Sequence, residues 1–235
     1  MPAHVGIVAC SAEGAALCYR TICAEGSALL GTAHAHPEVT LHTPSLRAYV
    51  DRLEAGDWDG VADLMLASAE ILTRAGADFL ICPDNTLHAA LPRVLPRSSL
   101  PWLHIADVVA DAAVARGFRR LALLGTRWLV DSDVYPDALS ARGIACVRPA
   151  PAERDAVSRL IMDELVPARP SAAGTARALD VIARLKSDAG CDAVVLGCTE
   201  LPLVIDDANS ALPTLDSTRL LARAALRRAV GATDA

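Results

Sequence analysis

Aromatic residues are scarce in this chain: Phe, Trp and Tyr together make up 3% of 235 residues. A core must therefore be built from Ala, Val, Leu and Ile, a composition suited to helices packed closely on a parallel sheet. Basic charge is scarce too. The net formal charge is −6 and no basic block occurs, which argues against nucleic acid as a partner. The scattered arginines read as solvated helix faces, and no stretch has the look of a helix-turn-helix. No uninterrupted apolar run approaches the roughly 20 residues a spanning helix needs. The N-terminus also lacks a basic region leading into a long apolar one, because Glu13 interrupts it early. Together these absences predict a soluble, cytoplasmic protein with no membrane partner. The seven cysteines include neither a CxxC pair nor a tight His/Cys cluster. They read as free thiols, with no disulfide framework and no metal site.

What the chain has is apolar residues, 53% of the total, and enough length for one large domain or two compact lobes. Its most informative stretch is Gly190-Cys191-Asp192-Ala193-Val194-Val195-Leu196-Gly197-Cys198-Thr199-Glu200. An apolar, β-branched run that stops at Gly-Cys reads as a buried parallel strand with a thiol at its carboxyl end. Ligands of open α/β sheets bind at such ends, so Cys198 is a candidate nucleophile or base. The same pattern occurs earlier without a gap. Gly76-Ala77-Asp78-Phe79-Leu80-Ile81-Cys82-Pro83-Asp84-Asn85 sets Asp78 against Asp192, Asp84 against Cys198 and Asn85 against Thr199. A second pair matches Val5-Gly6-Ile7-Val8 with Leu121-Ala122-Leu123-Leu124. Two α/β lobes facing one cleft are expected.

Strands are predicted at 5–9, 39–42, 120–124 and 144–147, one in each of the stretches 76–88 and 190–202, and a short strand and turn within 101–107, with helices between them. That alternation indicates parallel sheets with right-handed crossovers. The proline-rich stretch 92–101 reads as a loop joining the lobes, and 154–164 as a helix. Ser11 suits a helix cap, or a place where free backbone N–H groups receive a substrate carboxylate. Arg47 is either a bidentate carboxylate partner or a surface residue. Asp84 is either an Asx-turn residue or a reactive carboxylate. Side-chain recognition is expected from loops around Arg47 and Tyr135.

With these residues in view, the chain resembles the aspartate/glutamate racemase superfamily, in its cofactor-independent amino-acid racemase branch. Gly197-Cys198-Thr199-Glu200 is similar to the second catalytic motif of that family. Pro83-Asp84-Asn85-Thr86-Leu87-His88 is similar to the first, which ordinarily carries Cys where this chain has Asp84. Ala9-Cys10-Ser11-Ala12-Glu13, Gly56-Asp57-Trp58 and Leu123-Leu124-Gly125-Thr126-Arg127 follow the family in the same order. The resemblance implies an α/β fold of two pseudo-symmetric lobes, each a mostly parallel sheet flanked by helices, with the active site in the cleft between them. The first lobe would hold residues 1–100 plus a C-terminal segment from about 212 to 235, and the second 101–211. It also implies a homodimer and a small amino-acid or dicarboxylate substrate. Cys198 and Asp84 are then the candidate catalytic pair. Ser11, Arg47, Asn85, Thr86, Thr126, Thr199 and Glu200 are the candidate substrate-binding residues. Cys82 falls two places before Asp84 and reads as a buried structural thiol.

Inverting a carbon next to a carboxylate requires a base on one face and an acid on the other. A thiol serves because its pKa lies near neutrality and can be tuned. A carboxyl group with a pKa near ~4 is a weaker base unless burial raises it. The expected activity is racemisation or epimerisation of an amino acid, aspartate or glutamate first. The alternatives are a hydantoin racemase, a maleate-type isomerase, a malonate decarboxylase, or a non-catalytic amino-acid or dicarboxylate sensor.

Overall fold

The computed structural model describes residues 1–232. The end of the expected C-terminal segment, 233–235, lies outside the described residues. Two compact units are present: Met1–Ile105 with the segment beginning at Thr218, called here the N-terminal unit, and Ala106–Ser217, the central unit.

In the N-terminal unit the chain runs β1 (Val5–Val8), α1 (Ala12–Leu30), β2 (Val39–His42), α2 (Leu46–Glu54), α3 (Trp58–Arg74), β3 (Phe79–Ile81), α4 (Leu91–Val94) and β4 (Trp102–Leu103). The strands form one parallel sheet in the order β2-β1-β3-β4, with Val5 level with both Val39 and Phe79. Parallel neighbours cannot be joined by a tight turn, so helices α1 and α3 carry the chain across the sheet. The central strands β1 and β3 are buried at every position. Their unbroken apolar runs are what two covered faces demand.

The central unit repeats this plan. After α5 (Ile105–Ala115) come β5 (Arg120–Leu124), α6 (Arg127–Val130), α7 (Val134–Ser140), β6 (Ala145–Val147), α8 (Pro151–Arg159), α9 (Ala172–Ala189), β7 (Ala193–Leu196) and β8 (Thr214–Asp216). Its parallel sheet has the order β6-β5-β7-β8. The closing helix α10 spans Ser217–Val230.

The repeated aspartates have one physical role. Asp78 Oδ2 accepts the His4 N–H at 2.7 Å, and the Asp78 N–H returns to His4 O at 2.9 Å. Asp192 accepts the N–H groups of Arg119 (2.7 Å) and Arg120 (3.1 Å), while its own N–H reaches Arg120 O at 2.9 Å. Each therefore pins the start of a third strand to the start of the first, fixing register before the ladder begins. Gly76 (φ 93°) and Gly190 (φ 65°) precede them in the left-handed conformation that ends a helix and reverses the chain.

Two local expectations change. The stretch 92–101 is not an open loop: Pro92 and Pro96 open α4 and a 3₁₀ turn (Leu95–Arg97), at positions where a missing N–H costs nothing. The helix expected at 154–164 starts earlier. Glu153 Oε2 accepts the Ala150 N–H at 2.8 Å, and the helix widens to a π-helical turn over Leu160–Leu165. Among the described residues, no helix is long and apolar enough to cross a membrane.

Candidate active site

In an open sheet ordered 2-1-3-4, the connections after strands 1 and 3 leave towards opposite faces. A crevice opens at their carboxyl ends. The sheets of both units have this order, and the polar motifs sit at those ends.

In the central unit the crevice lies where β5 and β7 finish. The ladder runs on one step, with the Gly197 N–H on Leu124 O at 2.8 Å. A Cβ on Gly125 would stand 3.1 Å from Gly197 O, and one on Gly197 would stand 2.8 Å from Leu124 O. Only glycine lets these strand ends run so close, and that closeness sets Thr126 and Cys198 side by side. Thr126 caps α6, its Oγ1 accepting the Leu129 N–H at 3.4 Å. Cys198 is buried, and its Sγ–H donates to Glu200 Oε2 at 2.9 Å. The Thr199 hydroxyl donates to the same oxygen at 2.6 Å. Glu200 itself is 3% exposed. An ionised carboxylate accepts only, so this buried oxygen gathers two donors and holds the thiol in one orientation.

In the N-terminal unit the crevice lies beyond β1 and β3. Asp84 is half-buried, and its Oδ1 accepts the Leu87 N–H at 3.1 Å, the Asx-type turn expected of it. Asn85 and Thr86 are buried beside it, at the head of a 3₁₀ turn (Thr86–Ala90). Cys82 is fully buried, and its thiol points at Asp84 O at 3.9 Å. Burial, reinforced by the Asp84 carboxyl group, raises its pKa well above the ordinary thiol value. It stays protonated and inert. Ser11 caps α1, its Oγ accepting the Gly14 N–H at 3.2 Å.

Arg47 stands apart. Its side chain is 73% exposed and pairs with Asp51 one helical turn on, at 2.5 Å. Tyr135 lies in the first turn of α7, fully buried. Gly56-Asp57-Trp58 is a capping element, with Asp57 Oδ1 accepting the Gly60 N–H at 2.8 Å at the start of α3. A groove lined by Asp63, Ala67, Glu70, Thr73 and Arg97 contains none of the expected site residues. Among the described residues, no group of three or more His, Cys, Asp or Glu could hold a metal ion.

Sequence reasoning left His88 without a role. The ring is 1% exposed; its Nε2 faces Cys82 O at 3.0 Å and its Nδ1 receives the Ile105 N–H at 3.4 Å. Those partners require the neutral Nε2–H form. Burial, and then the neighbouring His104, lower its pKa well below the usual value. His88 thus ties the end of β3 to the residue that opens α5, fixing the loop that carries Asp84. The grip of Glu200 on Cys198 was also unread, although a carboxylate two places beyond a thiol in a turn is a visible signal.

Two units, each with a parallel sheet and a polar motif at its switch point, define an α/β fold of the racemase type. The chain belongs to the Asp/Glu/Hydantoin racemase family, whose model matches residues 7–225. It is 24% identical over 188 residues, 80% of each chain, to the broad specificity amino-acid racemase RacX of Bacillus subtilis. It is 32% identical over 165 residues to a glutamate racemase of Thermus thermophilus, covering 68% of this chain and 58% of that protein. A crystal structure of an aspartate racemase homologue from Pyrococcus horikoshii superposes with a TM-score of 0.80. That pair shares 26% identity, covering 97% of this chain and 99% of that one.

Proposed function

We propose that this chain is an amino-acid racemase that needs no cofactor, with Cys198 and Asp84 as its two acid/base groups and aspartate and glutamate as the first substrates to test. The observation that carries the reading is the buried Cys198 thiol held 2.9 Å from Glu200 Oε2 at a switch point. That hydrogen bond fixes the orientation in which Cys198 presents its sulfur for proton exchange with the α-carbon. The Thr199 hydroxyl donates to the same Glu200 oxygen, which makes Glu200 and Thr199 positioning residues for the thiol. Negative charge then develops on the substrate carboxylate, where Asn85, Thr86, Thr126 and Ser11 supply polar groups. Asp84 stands at the position of the internal repeat that matches Cys198, which supports it as the second acid/base group. Arg47, exposed and paired with Asp51, has no part in this reading.

The test is α-proton exchange of L- and D-aspartate and L- and D-glutamate in heavy water, followed by proton NMR. Wild type, Cys198→Ala, Glu200→Gln and Asp84→Asn are compared. Exchange from both enantiomers, abolished by Cys198→Ala and Asp84→Asn, is expected. Glu200→Gln loses a charge-assisted hydrogen bond and slows exchange about 10- to 100-fold. Exchange that survives Asp84→Asn confines Asp84 to binding. No exchange with any of these four substrates overturns the aspartate/glutamate assignment and turns attention to other acids, hydantoins and dicarboxylates.

A further inference from the structure

The ladder of β3 ends at Ile81, which is level with Ile7 on one side and Leu103 on the other. Cys82 lies one residue beyond it, and its buried carbonyl takes a hydrogen bond from the His88 ring, Nε2–H to O, at 3.0 Å. Between these two residues stand Asp84, Asn85 and Thr86. Two shorter links close the same turn from within. Asp84 Oδ1 accepts the Leu87 N–H at 3.1 Å, and Asn85 O accepts the His88 N–H at 3.3 Å. The His88 carbonyl then accepts the Leu91 N–H, where α4 begins.

The two ring nitrogens of His88 have different tasks. Nε2–H closes the turn on itself, at an ordinary hydrogen-bond length. Nδ1 reaches out of the turn to the Ile105 N–H at 3.4 Å, a longer and weaker contact. A buried backbone carbonyl has to keep a donor. Loss of Nε2–H therefore forces Cys82 O to move, and the chain that carries Asp84 moves with it. Loss of the Nδ1 acceptor leaves the turn closed. His104 packs edge-on against the ring, centroid to centroid 4.7 Å, and holds it in one orientation.

We propose that His88 is a positioning residue: its Nε2–H bond to Cys82 O holds the turn in the shape that presents Asp84, Asn85 and Thr86, while its Nδ1 contact serves stability alone. This rests on the racemase reading for the reaction that is measured, but not for the shape of the turn. A reacting group displaced by about 1 Å costs on the order of 100-fold at the chemical step.

The experiment uses two variants that each keep one of the bonds. The side-chain amide of glutamine reaches the place of Nε2 and donates to Cys82 O; that of asparagine reaches the place of Nδ1 and accepts from Ile105, but stops short of Cys82 O. Wild type, His88→Gln and His88→Asn are compared in steady-state racemisation of aspartate and glutamate, urea unfolding, and hydrogen exchange of the Leu87 amide. His88→Asn should lower kcat about 10- to 100-fold with KM within about threefold of wild type, and should speed Leu87 exchange. His88→Gln should keep kcat and Leu87 exchange within about threefold of wild type, although both variants unfold at lower urea. Equal losses of kcat in the two variants overturn the proposal, as does a wild-type kcat in His88→Asn or a rise in KM alone. Should His88→Asn not fold, His88→Gln decides: a kcat within about threefold supports the proposal and a tenfold loss overturns it. If wild type racemises neither substrate, the racemase reading falls, and Leu87 exchange decides for the turn. Fast exchange in His88→Asn with slow exchange in His88→Gln then supports the positioning bond; equal exchange in both overturns it.

Discussion

Protonating His88 should loosen the loop that carries Asp84, and the cost can be worked out. The ring is 1% exposed and neutral, with Nε2–H on Cys82 O and Nδ1 turned to the Ile105 N–H. A second proton would have to sit on Nδ1, facing another N–H. The folded pKa is therefore depressed, below an unfolded value of about 6.5. A histidine lowered in this way binds fewer protons folded than unfolded. Its contribution is fully present above about pH 6.5 and is lost as pH falls towards the folded value. One proton gives a limiting slope of about 1.4 kcal/mol per pH unit. That slope caps the loss at about 1.4 kcal/mol by pH 5.5 and about 2 kcal/mol by pH 5.0. The lowered carboxyl groups of Glu25 and Glu153, each held down chiefly by an arginine, keep their contribution until pH falls below their ordinary range. They act in a more acidic window. Urea unfolding of wild type and His88→Asn at pH 7.0, 6.0, 5.5 and 5.0 should show the extra slope in wild type only. Nitrogen-15 shifts of the ring in wild type should report the neutral Nε2–H form throughout this range. Equal slopes for the two proteins, or a ring that titrates near pH 6.5, would refute the reasoning.

Gly197→Ala tests the close approach of β5 and β7. Its new Cβ would lie 2.6 Å from Leu129 Cδ2, which can turn aside, and 2.8 Å from Leu124 O, which cannot. A loss of about 1–3 kcal/mol is expected in urea unfolding, and an unchanged midpoint would mean that the strand ends are not so tightly apposed. Arg47→Ala removes an exposed ion pair that contributes little to stability. α-Proton exchange should stay within about twofold of wild type, and a tenfold loss would put Arg47 at the substrate after all.

Much of the fold was legible because its signals are local. The stretch 120–124 stands out by its apolar run and 39–42 by its alternating Val-Thr-Leu-His, and both appear as strands with those bounds. The internal repeat was legible because Asp78 and Asp192 each do one job that no other side chain does as well. The 92–101 stretch was misread because proline marks the first turn of a helix as readily as it marks a loop. For the site, the motif residues of each unit could be placed at their strand ends, and Ser11 as a cap was readable from its position. The partners were not. Glu200 holding Cys198 and His88 spanning 17 residues to Ile105 depend on where side chains meet in space. No periodicity encodes such meetings.

The N-terminal unit is split around the central one, and its last helix is bound into it. Arg223 pairs with Glu25 across 198 residues of chain, and the Ala3 N–H reaches Ala229 O at 2.7 Å. During synthesis, at about 5–20 residues per second, Glu25 leaves the ribosome roughly 10–40 s before Arg223. The central unit is contiguous and has every residue it needs before that helix emerges. Strand β1 thus belongs to the unit that is finished last, and a nascent chain must hold a four-stranded sheet without its last helix until α10 arrives.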